Sequence, residues 1–129
     1  GIFFLSCLLH LQKFFYVNIF RNHHHYKSIF WAVQGMSAEL STGLLLNQEI
    51  RNRRIKVSML VISNSSKFFK KAVGKIIFKC NQGNEVKKIF DKLDKNKPTN
   101  KIILFSNGID EVGDVVSEFK FEWSLKRKF

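Results

Sequence analysis

The sequence S-I-F-W-A-V-Q-G-M-S-A-E-L-S-T-G, residues 28–43, decides the fold of this chain. It contains no proline, lysine or arginine, and its one charged residue is Glu39. A surface helix carries a polar face, whereas here no such face forms beyond Gln34, Ser37 and Ser41. The pattern predicts a helix that the rest of the chain encloses on nearly all sides. Because an enclosed carboxylate is costly, Glu39 is either a satisfied core acid or a functional group.

Length and composition indicate one globular domain with a strongly basic surface. The 129 residues suit a single hydrophobic core, and the apolar fraction of 45% is typical of a folded chain. The formal net charge of +12 would attract a polyanion such as nucleic acid, an anionic membrane or a phosphate-rich ligand. The two cysteines, Cys7 and Cys80, lack the C-x-x-C spacing. We therefore expect reduced thiols and a cytoplasmic protein.

The first 25 residues give weaker signals. The apolar run through Leu9 is similar to the apolar part of a signal peptide, but it lacks a basic start and a small-residue cleavage site. His10 and Lys13 interrupt it well short of a membrane span, so residues 1–20 predict an aromatic-rich helix at the domain edge. Three adjacent histidines, residues 23–25, cannot converge on one ion, so no metal site is expected. Since Gly1 is not a start methionine, we expect a chain that is incomplete or processed at its beginning.

Four strands are predicted after the apolar helix, at residues 55–63, 72–80, 101–106 and 115–126. The third is expected to end at an N-G turn, residues 107–108. The fourth alternates apolar and polar side chains most clearly, with Phe119, Phe121, Trp123 and Leu125 on one face.

A short amphipathic helix is predicted at residues 83–96, between the second and third strands. Asn84 suits its N-cap, and one apolar stripe runs along it: Val86, Ile89, Phe90 and Leu93. Because strands follow a helix without regular alternation, the fold class is α+β. A wholly apolar helix beside one antiparallel sheet suggests a sheet that curls around it.

The helix sequence, together with I-K-V-S-M-L-V (55–61), K-K-A-V-G-K-I-I-F (70–78) and D-V-V-S-E-F-K-F-E-W-S (114–124), resembles the hotdog-fold acyl-CoA thioesterase superfamily. The similarity covers residues 26–128 and is greatest to a bacterial branch, named as domains of unknown function, related to phenylacetate-type thioesterases. It implies an antiparallel sheet wrapped around a central apolar helix, in a homodimer or homotetramer. We expect residues 26–129 to form this domain, and residues 1–25 to be diverged or truncated, with the N-terminal strands missing or altered.

The resemblance also implies an active site between protomers. Glu39 matches the helix carboxylate that acts as general base or nucleophile towards the thioester carbonyl. The amides of Trp31 and Ala32 match the helix-start groups that polarise this carbonyl, and Ser58 matches a supporting hydroxyl. His24 stands where the family usually has asparagine. A thioester is reactive enough for one base and an oxyanion site, so no cofactor is implied.

The substrate implied is an acyl-CoA thioester, whose phosphates basic residues could bind. The candidates are Arg51, Arg53, Arg54, Lys67, Lys70 and Lys71, and each is also consistent with a plain surface charge. One alternative function is a non-catalytic hotdog protein that binds acyl-CoA. Another is a basic nucleic-acid-binding module, although the basic residues are spread along the chain and no known nucleic-acid motif appears.

Overall fold

One antiparallel sheet and two helices make up the part of the chain that the structure describes. A computed structural model describes residues 3–10 and 14–21 as backbone and residues 31–129 with their side chains. The elements in chain order are β1 (Phe3–His10), β2 (Phe14–Arg21), α1 (Trp31–Arg53), β3 (Lys56–Phe68), β4 (Ile76–Cys80), α2 (Gly83–Asp91), β5 (Thr99–Ile109) and β6 (Val115–Lys128). The strand order is β1-β2-β4-β5-β6-β3, and α1 packs across β2, β4, β5 and β6. The predicted α+β fold, with a sheet around the apolar helix, is confirmed.

The N-terminal region differs from its prediction. Residues 3–10 and 14–20 form strands and not the predicted edge helix, because β1 and β2 pair in register from Phe3↔Arg21 to His10↔Phe14. β2 also pairs with β4, from Phe15↔Cys80 to Ile19↔Ile76. A short run of apolar and aromatic residues fits a buried strand as well as a helix, which explains the error. The expected absence of N-terminal strands is therefore wrong, whereas the divergence or truncation of residues 1–25 stays a prediction.

The middle strands have other lengths than predicted. β3 continues through N-S-S-K-F to Phe68, a segment whose polar residues had suggested a turn. β4 begins only at Ile76, because Gly74 adopts a positive φ of 75° that breaks the strand before it. The Lys75 N–H then donates to a carboxylate oxygen of Glu111 at 2.8 Å. A glycine turn therefore replaces the first part of the predicted strand.

The predicted N-G turn is wrong, because residues 107–108 lie inside β5. Gly108 serves close packing instead: a Cβ there would stand 2.7 Å from the Phe78 ring. The turn follows at residues 110–114, where Asp110 Oδ1 accepts hydrogen bonds from the N–H groups of Val112 (3.2 Å) and Asp114 (2.9 Å).

The second helix begins and ends within its predicted range. Asn84 lies inside α2, whose N-cap is Gln82 and has no side-chain cap. The Gln82 amide instead bonds to β5: it donates to the Ile103 carbonyl (3.1 Å) and accepts from the Phe105 N–H (2.6 Å). The apolar stripe is confirmed. Ile89 packs against the core, and the other three side chains of the stripe are fully buried: Val86, Phe90 and Leu93.

The core lies between α1 and the inner face of the sheet. The alternation predicted for the last strand is confirmed, because Phe119, Phe121, Trp123 and Leu125 of β6 are all buried. Trp123 Nε1 donates to Thr42 Oγ1 of α1 at 3.0 Å, which joins helix and sheet. Within the described residues, neither helix has the length and apolar character needed to span a lipid bilayer.

Candidate active site

One face of α1 is open in the single chain, contrary to the predicted enclosure. Glu39 is exposed, as is Ala32. The apolar side chains on and beside this face are exposed too: Trp31 by 71%, Met36 by 58% and Leu40 by 37%. Positions 32, 36, 39 and 40 recur at helical spacing, so they share one side of the helix. The expectation of a buried Glu39 is therefore wrong for one chain, and the face around it is apolar.

The buried side of α1 carries the small polar residues. Ser41 Oγ lies 2.7 Å from Ser106 Oγ of β5 and 2.7 Å from the Ala38 carbonyl oxygen. Ser37 Oγ donates to the Val33 carbonyl at 2.9 Å. These hydroxyls satisfy one another or the helix backbone, and their small size lets the helix approach the sheet closely. In the N-terminal half of this helix, small residues thus mark the core side, and larger apolar ones mark the open side.

The start of α1 borders a cleft of about 320 Å³. Its lining comes from the helix and from the segment after β3: Trp31, Gln34, Phe68, Phe69, Lys70, Lys71 and Ala72. The first N–H groups of a helix lack intrahelical acceptors and carry partial positive charge. The cleft therefore combines aromatic walls with groups that suit a developing oxyanion or an anion.

Glu39 is too far from the start of α1 to act on a group bound there within one chain. Eight residues separate it from Trp31, which is about 12 Å along a helix axis. A glutamate side chain spans less than half of that distance. The carboxylate and the helix-start amides can therefore meet only if two copies of the chain contribute one group each.

The basic residues near the cleft differ in what they contact. Lys70 Nζ pairs with Asp110 (2.7 Å) and with Asp114 (2.9 Å). Hydrogen bonds to these two carboxylates raise the pKa of Lys70, and the bond from Lys70 holds the pKa of Asp110 below its usual value. Lys71 is exposed in the cleft lining, and exposed Lys67 lies opposite Glu118 on the next strand. Lys71 is thus the predicted phosphate ligand best placed for an anion in the cleft.

The three predicted arginines lie at the other end of α1, about 30 Å from Trp31 along the helix axis. Arg53 Nε donates to Glu49 at 2.7 Å, and its Nη2 donates to Asp91 at 2.7 Å. Arg51 and Arg54 are exposed. The arginines and the lysines therefore do not form one phosphate site within a single chain.

Two further predicted residues fall outside the site as the single chain shows it. Ser58 is exposed and lies on the face of β3 opposite Val57 and Met59, which pack against the core. No hydrogen bond joins it to Glu39 in the described part of the chain. His24 lies outside the described residues.

Other kinds of catalytic centre find little support in the described residues. Burial raises the pKa of the Cys80 thiol to about 12, so it is a poor nucleophile near neutral pH. No group of three or more His, Cys, Asp or Glu side chains among the described residues is placed to hold a metal ion. The open face of α1 and the cleft remain the features suited to chemistry.

No protein-family model and no curated protein matches the chain. Solved structures do. A probable thioesterase of unknown function from Pseudomonas aeruginosa has 17% identity and a TM-score of 0.80, with 96% of this chain and 83% of that one covered. A thioesterase from Haemophilus influenzae has 9% identity and a TM-score of 0.70, with 95% of this chain and 78% of that one covered. The PaaI protein of the phenylacetic acid degradation operon of E. coli has 8% identity and a TM-score of 0.66, with 97% of this chain and 80% of that one covered.

The chain has a hotdog fold. The fold implied by the sequence resemblance is thereby confirmed, with α1 as the central helix. In this hotdog fold, sequence reasoning missed two features of α1, the helix that carries the candidate site. One is the open apolar face, which the i, i+4 spacing of Met36 and Leu40 could have revealed. The other is the buried carboxylate of Glu49, which the arginine four residues later could have indicated.

Proposed function

We propose that the protein hydrolyses an acyl-CoA thioester as a homodimer, or as a homotetramer built from such dimers. Glu39 of one protomer acts as general base or nucleophile, and the amides of Trp31 and Ala32 of the other stabilise the oxyanion. The observation that carries the proposal is an exposed carboxylate within the apolar open face of the central helix. The thioesterases that share the fold support the same reaction class.

The edge strand β3 supports a dimer. Its 13 residues pair with β6 on one side and with no described strand on the other. Leu60 is 64% exposed there, and Phe68 is exposed as well. A long open edge is a template for pairing with another chain. Two β3 edges related by a twofold axis would join the two sheets and bring the open faces of the two helices together.

The chemistry follows from covering the face of α1. A twofold axis perpendicular to α1 would make the two facing helices antiparallel, so that the start of one could lie beside the middle of the other. Removing water from the face would strengthen Glu39 as a base and strengthen every hydrogen bond to the oxyanion. Lys71 in the cleft lining suits a phosphate of CoA. A cytoplasmic location, where acyl-CoA and reduced thiols occur, is part of the proposal.

The substitution Glu39→Gln tests the proposed catalytic group. We expect kcat/KM for a panel of acyl-CoA substrates to fall by about 10²- to 10⁴-fold, since the base is removed with little change in shape. Glu122→Gln is the matched control: it makes the same chemical change on the outer face of β6 and should leave turnover unchanged. Wild-type turnover in Glu39→Gln would refute the assigned role.

Mixing two inactive variants tests the two-chain site. Ala32→Pro removes one helix-start N–H while the first turn of a helix tolerates proline, and Ala32→Gly, which keeps the N–H, is its control. In an equal mixture of re-associated Glu39→Gln and Ala32→Pro chains, half of the sites in mixed dimers hold both intact groups. We expect about a quarter of wild-type turnover in a random mixture. Recovery would not occur if both groups acted from the same chain.

A non-catalytic acyl-CoA-binding protein is the second candidate. It is favoured by Ser58, which lies on the outer face of the sheet and so does not supply the expected supporting hydroxyl within the chain. Calorimetric titration with a non-hydrolysable acyl-CoA analogue separates the two functions. Binding to the wild-type dimer without turnover of the matching thioester would support the second candidate over the first.

A further inference from the structure

Part of the β5 edge has no neighbouring strand. β4 pairs with β5 only from Ile77↔Ile109 to Lys79↔Asn107, whereas β5 itself begins at Thr99. The Gln82 side chain takes the place of a strand at the Ile103 carbonyl and the Phe105 N–H. Before Ile103, the edge that faces away from β6 meets no described strand. From residue 99 to the N–H of Ile103, β5 thus has no described neighbouring strand on this side, and the Lys101 N–H there donates to Asn100 Oδ1 at 2.9 Å.

The open edge presents backbone groups in one direction. Neighbouring residues of a strand send their N–H and C=O groups to opposite sides, so residues 101, 103 and 105 share a side. The bonds from Gln82 identify this as the side away from β6. The Ile103 N–H and the Lys101 carbonyl therefore point outward, and no described residue bonds to either. These two groups have the spacing that an added strand would use.

A groove of about 420 Å³ lies between this edge and α2. Ile89 of α2 and Ile103 of β5 form its apolar part, and both keep some exposure. Four charged side chains also line the groove. Three are exposed lysines, Lys88, Lys92 and Lys101, and one is the carboxylate of Glu85. Lys92 is the C-cap of α2 and follows Lys88 by four residues, so the two lie on the same side of the helix end. The groove is therefore apolar within and positive at its rim.

We propose that this groove binds an extended acidic peptide segment of a partner protein, which adds to β5 as a short strand. Its backbone would bond to the Ile103 N–H and the Lys101 carbonyl, its apolar side chains would cover Ile89 and Ile103, and its carboxylates would meet the lysines. A second copy of this chain is a poor occupant, because its edge strand β3 contains no carboxylate that could meet the lysines of the rim. The groove contains neither Glu39 nor the residues of the cleft, so the interaction is independent of the proposed hydrolysis.

The test uses the full chain and a short fluorescein-labelled peptide of alternating glutamate and valine, with binding followed by fluorescence anisotropy at physiological salt. We expect saturable binding. The double variant Lys88→Glu/Lys92→Glu should weaken it by about tenfold or more, since like charges would then face each other. Lys126→Glu/Lys128→Glu makes the same change in net charge on β6, outside the groove, and should bind nearly as the wild type does.

Two peptide controls test the strand pairing without altering the protein. Two versions of the peptide carry N-methyl groups on every second backbone amide, one version on the odd positions and the other on the even positions. Only one of the two should lose binding, because only one set of N–H groups faces β5. A lysine–valine peptide should not bind. The proposal is overturned if binding is not saturable, or if the two double variants weaken it equally. It is also overturned if both methylated peptides bind as the parent peptide does, or if the lysine–valine peptide binds as well as the glutamate–valine peptide.

Discussion

The two carboxylates of α1 have opposite surroundings. Glu49 is 8% exposed, and its Oε1 accepts a hydrogen bond from Arg53 at 2.7 Å. Glu39, about 15 Å nearer the helix start, is exposed and forms no ion pair with a described residue. The apolar side chains beside Glu39 are exposed, whereas those beside Glu49 are buried. The buried Glu49 has its partner in the same chain, and the exposed Glu39 has none among the described residues. For this reason we assign Glu49 to the fold and propose a function for Glu39.

The two halves of the helix differ in the same way. At the C-terminal half, Arg53 ties α1 to α2 through Asp91 (2.7 Å) and the Lys87 carbonyl (3.1 Å), and its guanidinium lies 5.7 Å from the centre of the Phe90 ring. At the N-terminal half, the face around Met36 is open. One half is complete within a single chain, and the other would gain its contacts from a second copy in the proposed dimer.

Truncation of an apolar side chain in each half gives the largest expected difference. Leu46→Ala empties a fully buried position and should lower the free energy of unfolding by about 2–5 kcal/mol. Met36 is 58% exposed, so Met36→Ala should cost little in the isolated chain. Its cost should appear only where the dimer forms, because association stabilises the folded state in proportion to the logarithm of concentration.

Urea unfolding at several protein concentrations measures both effects. The loss in Leu46→Ala should be the same at every concentration, and the loss in Met36→Ala should grow with concentration. A different result would be that Met36→Ala lowers the free energy of unfolding as much as Leu46→Ala does, and equally at every concentration. That result would mean that the N-terminal half of α1 also makes all its contacts within one chain.

The ion pair of the C-terminal half gives a smaller effect. Arg53→Met leaves the buried Glu49 carboxylate without its donor and should lower the free energy of unfolding by about 1–3 kcal/mol. Adding Glu49→Gln should restore part of the loss, since no unpaired charge then remains. Glu39→Gln is the comparison in the other half and should change stability by less than about 0.5 kcal/mol. Chemical denaturation of the wild type and these three variants measures the differences. An equal loss in Arg53→Met and Glu39→Gln would contradict the assignment of the two carboxylates.

The sequence predicted the elements whose periodicity is regular. The alternation of β6 and the stripe of α2 each describe one buried face, and the structure has both. β1 and β2 were missed because their apolar and aromatic residues do not alternate, and a run of that kind fits a helix equally well. The N-G dipeptide was misread because Gly108 is required by the Phe78 ring of a neighbouring strand, which is a non-local contact.

The site was predictable in its residue types but not in its contacts. The apolar character of residues 28–43 indicated enclosure, yet a sequence does not say whether the same chain or a second copy encloses Met36 and Leu40. From the sequence, the basic residues were equally plausible phosphate ligands. In the folded chain, Lys70 pairs with two carboxylates of the turn after β5, and Arg53 pairs with one carboxylate of α2. Such pairings join residues about 40 positions apart, and no local pattern records them.

The ion pairs of Lys70, at the cleft beside the open half of α1, give the smallest predicted effect, and it depends on pH. Lys70 lowers the pKa of Asp110, so this carboxylate stabilises the fold above the pKa it has in the unfolded chain, about 4. The contribution is lost as the pH falls through the lower pKa of the folded state. Asp110 and Asp114 raise the pKa of Lys70, so the lysine stabilises the fold below about pH 10.4. That contribution is lost as the pH rises through the raised pKa of the folded state.

Thermal unfolding of the wild type and Lys70→Met across the pH range measures this linkage. The wild type should be the more stable between about pH 5 and pH 9, and the difference should shrink towards either extreme. Lys71→Met, which removes a neighbouring exposed lysine of the same cleft, should show no such profile. The same pair sharpens the assignment of the cleft: Lys71→Met should raise KM for acyl-CoA, because its charge is available to a phosphate. If Lys70→Met raised KM instead and left the pH profile of stability unchanged, Lys70 would be the phosphate ligand and its two carboxylates incidental neighbours.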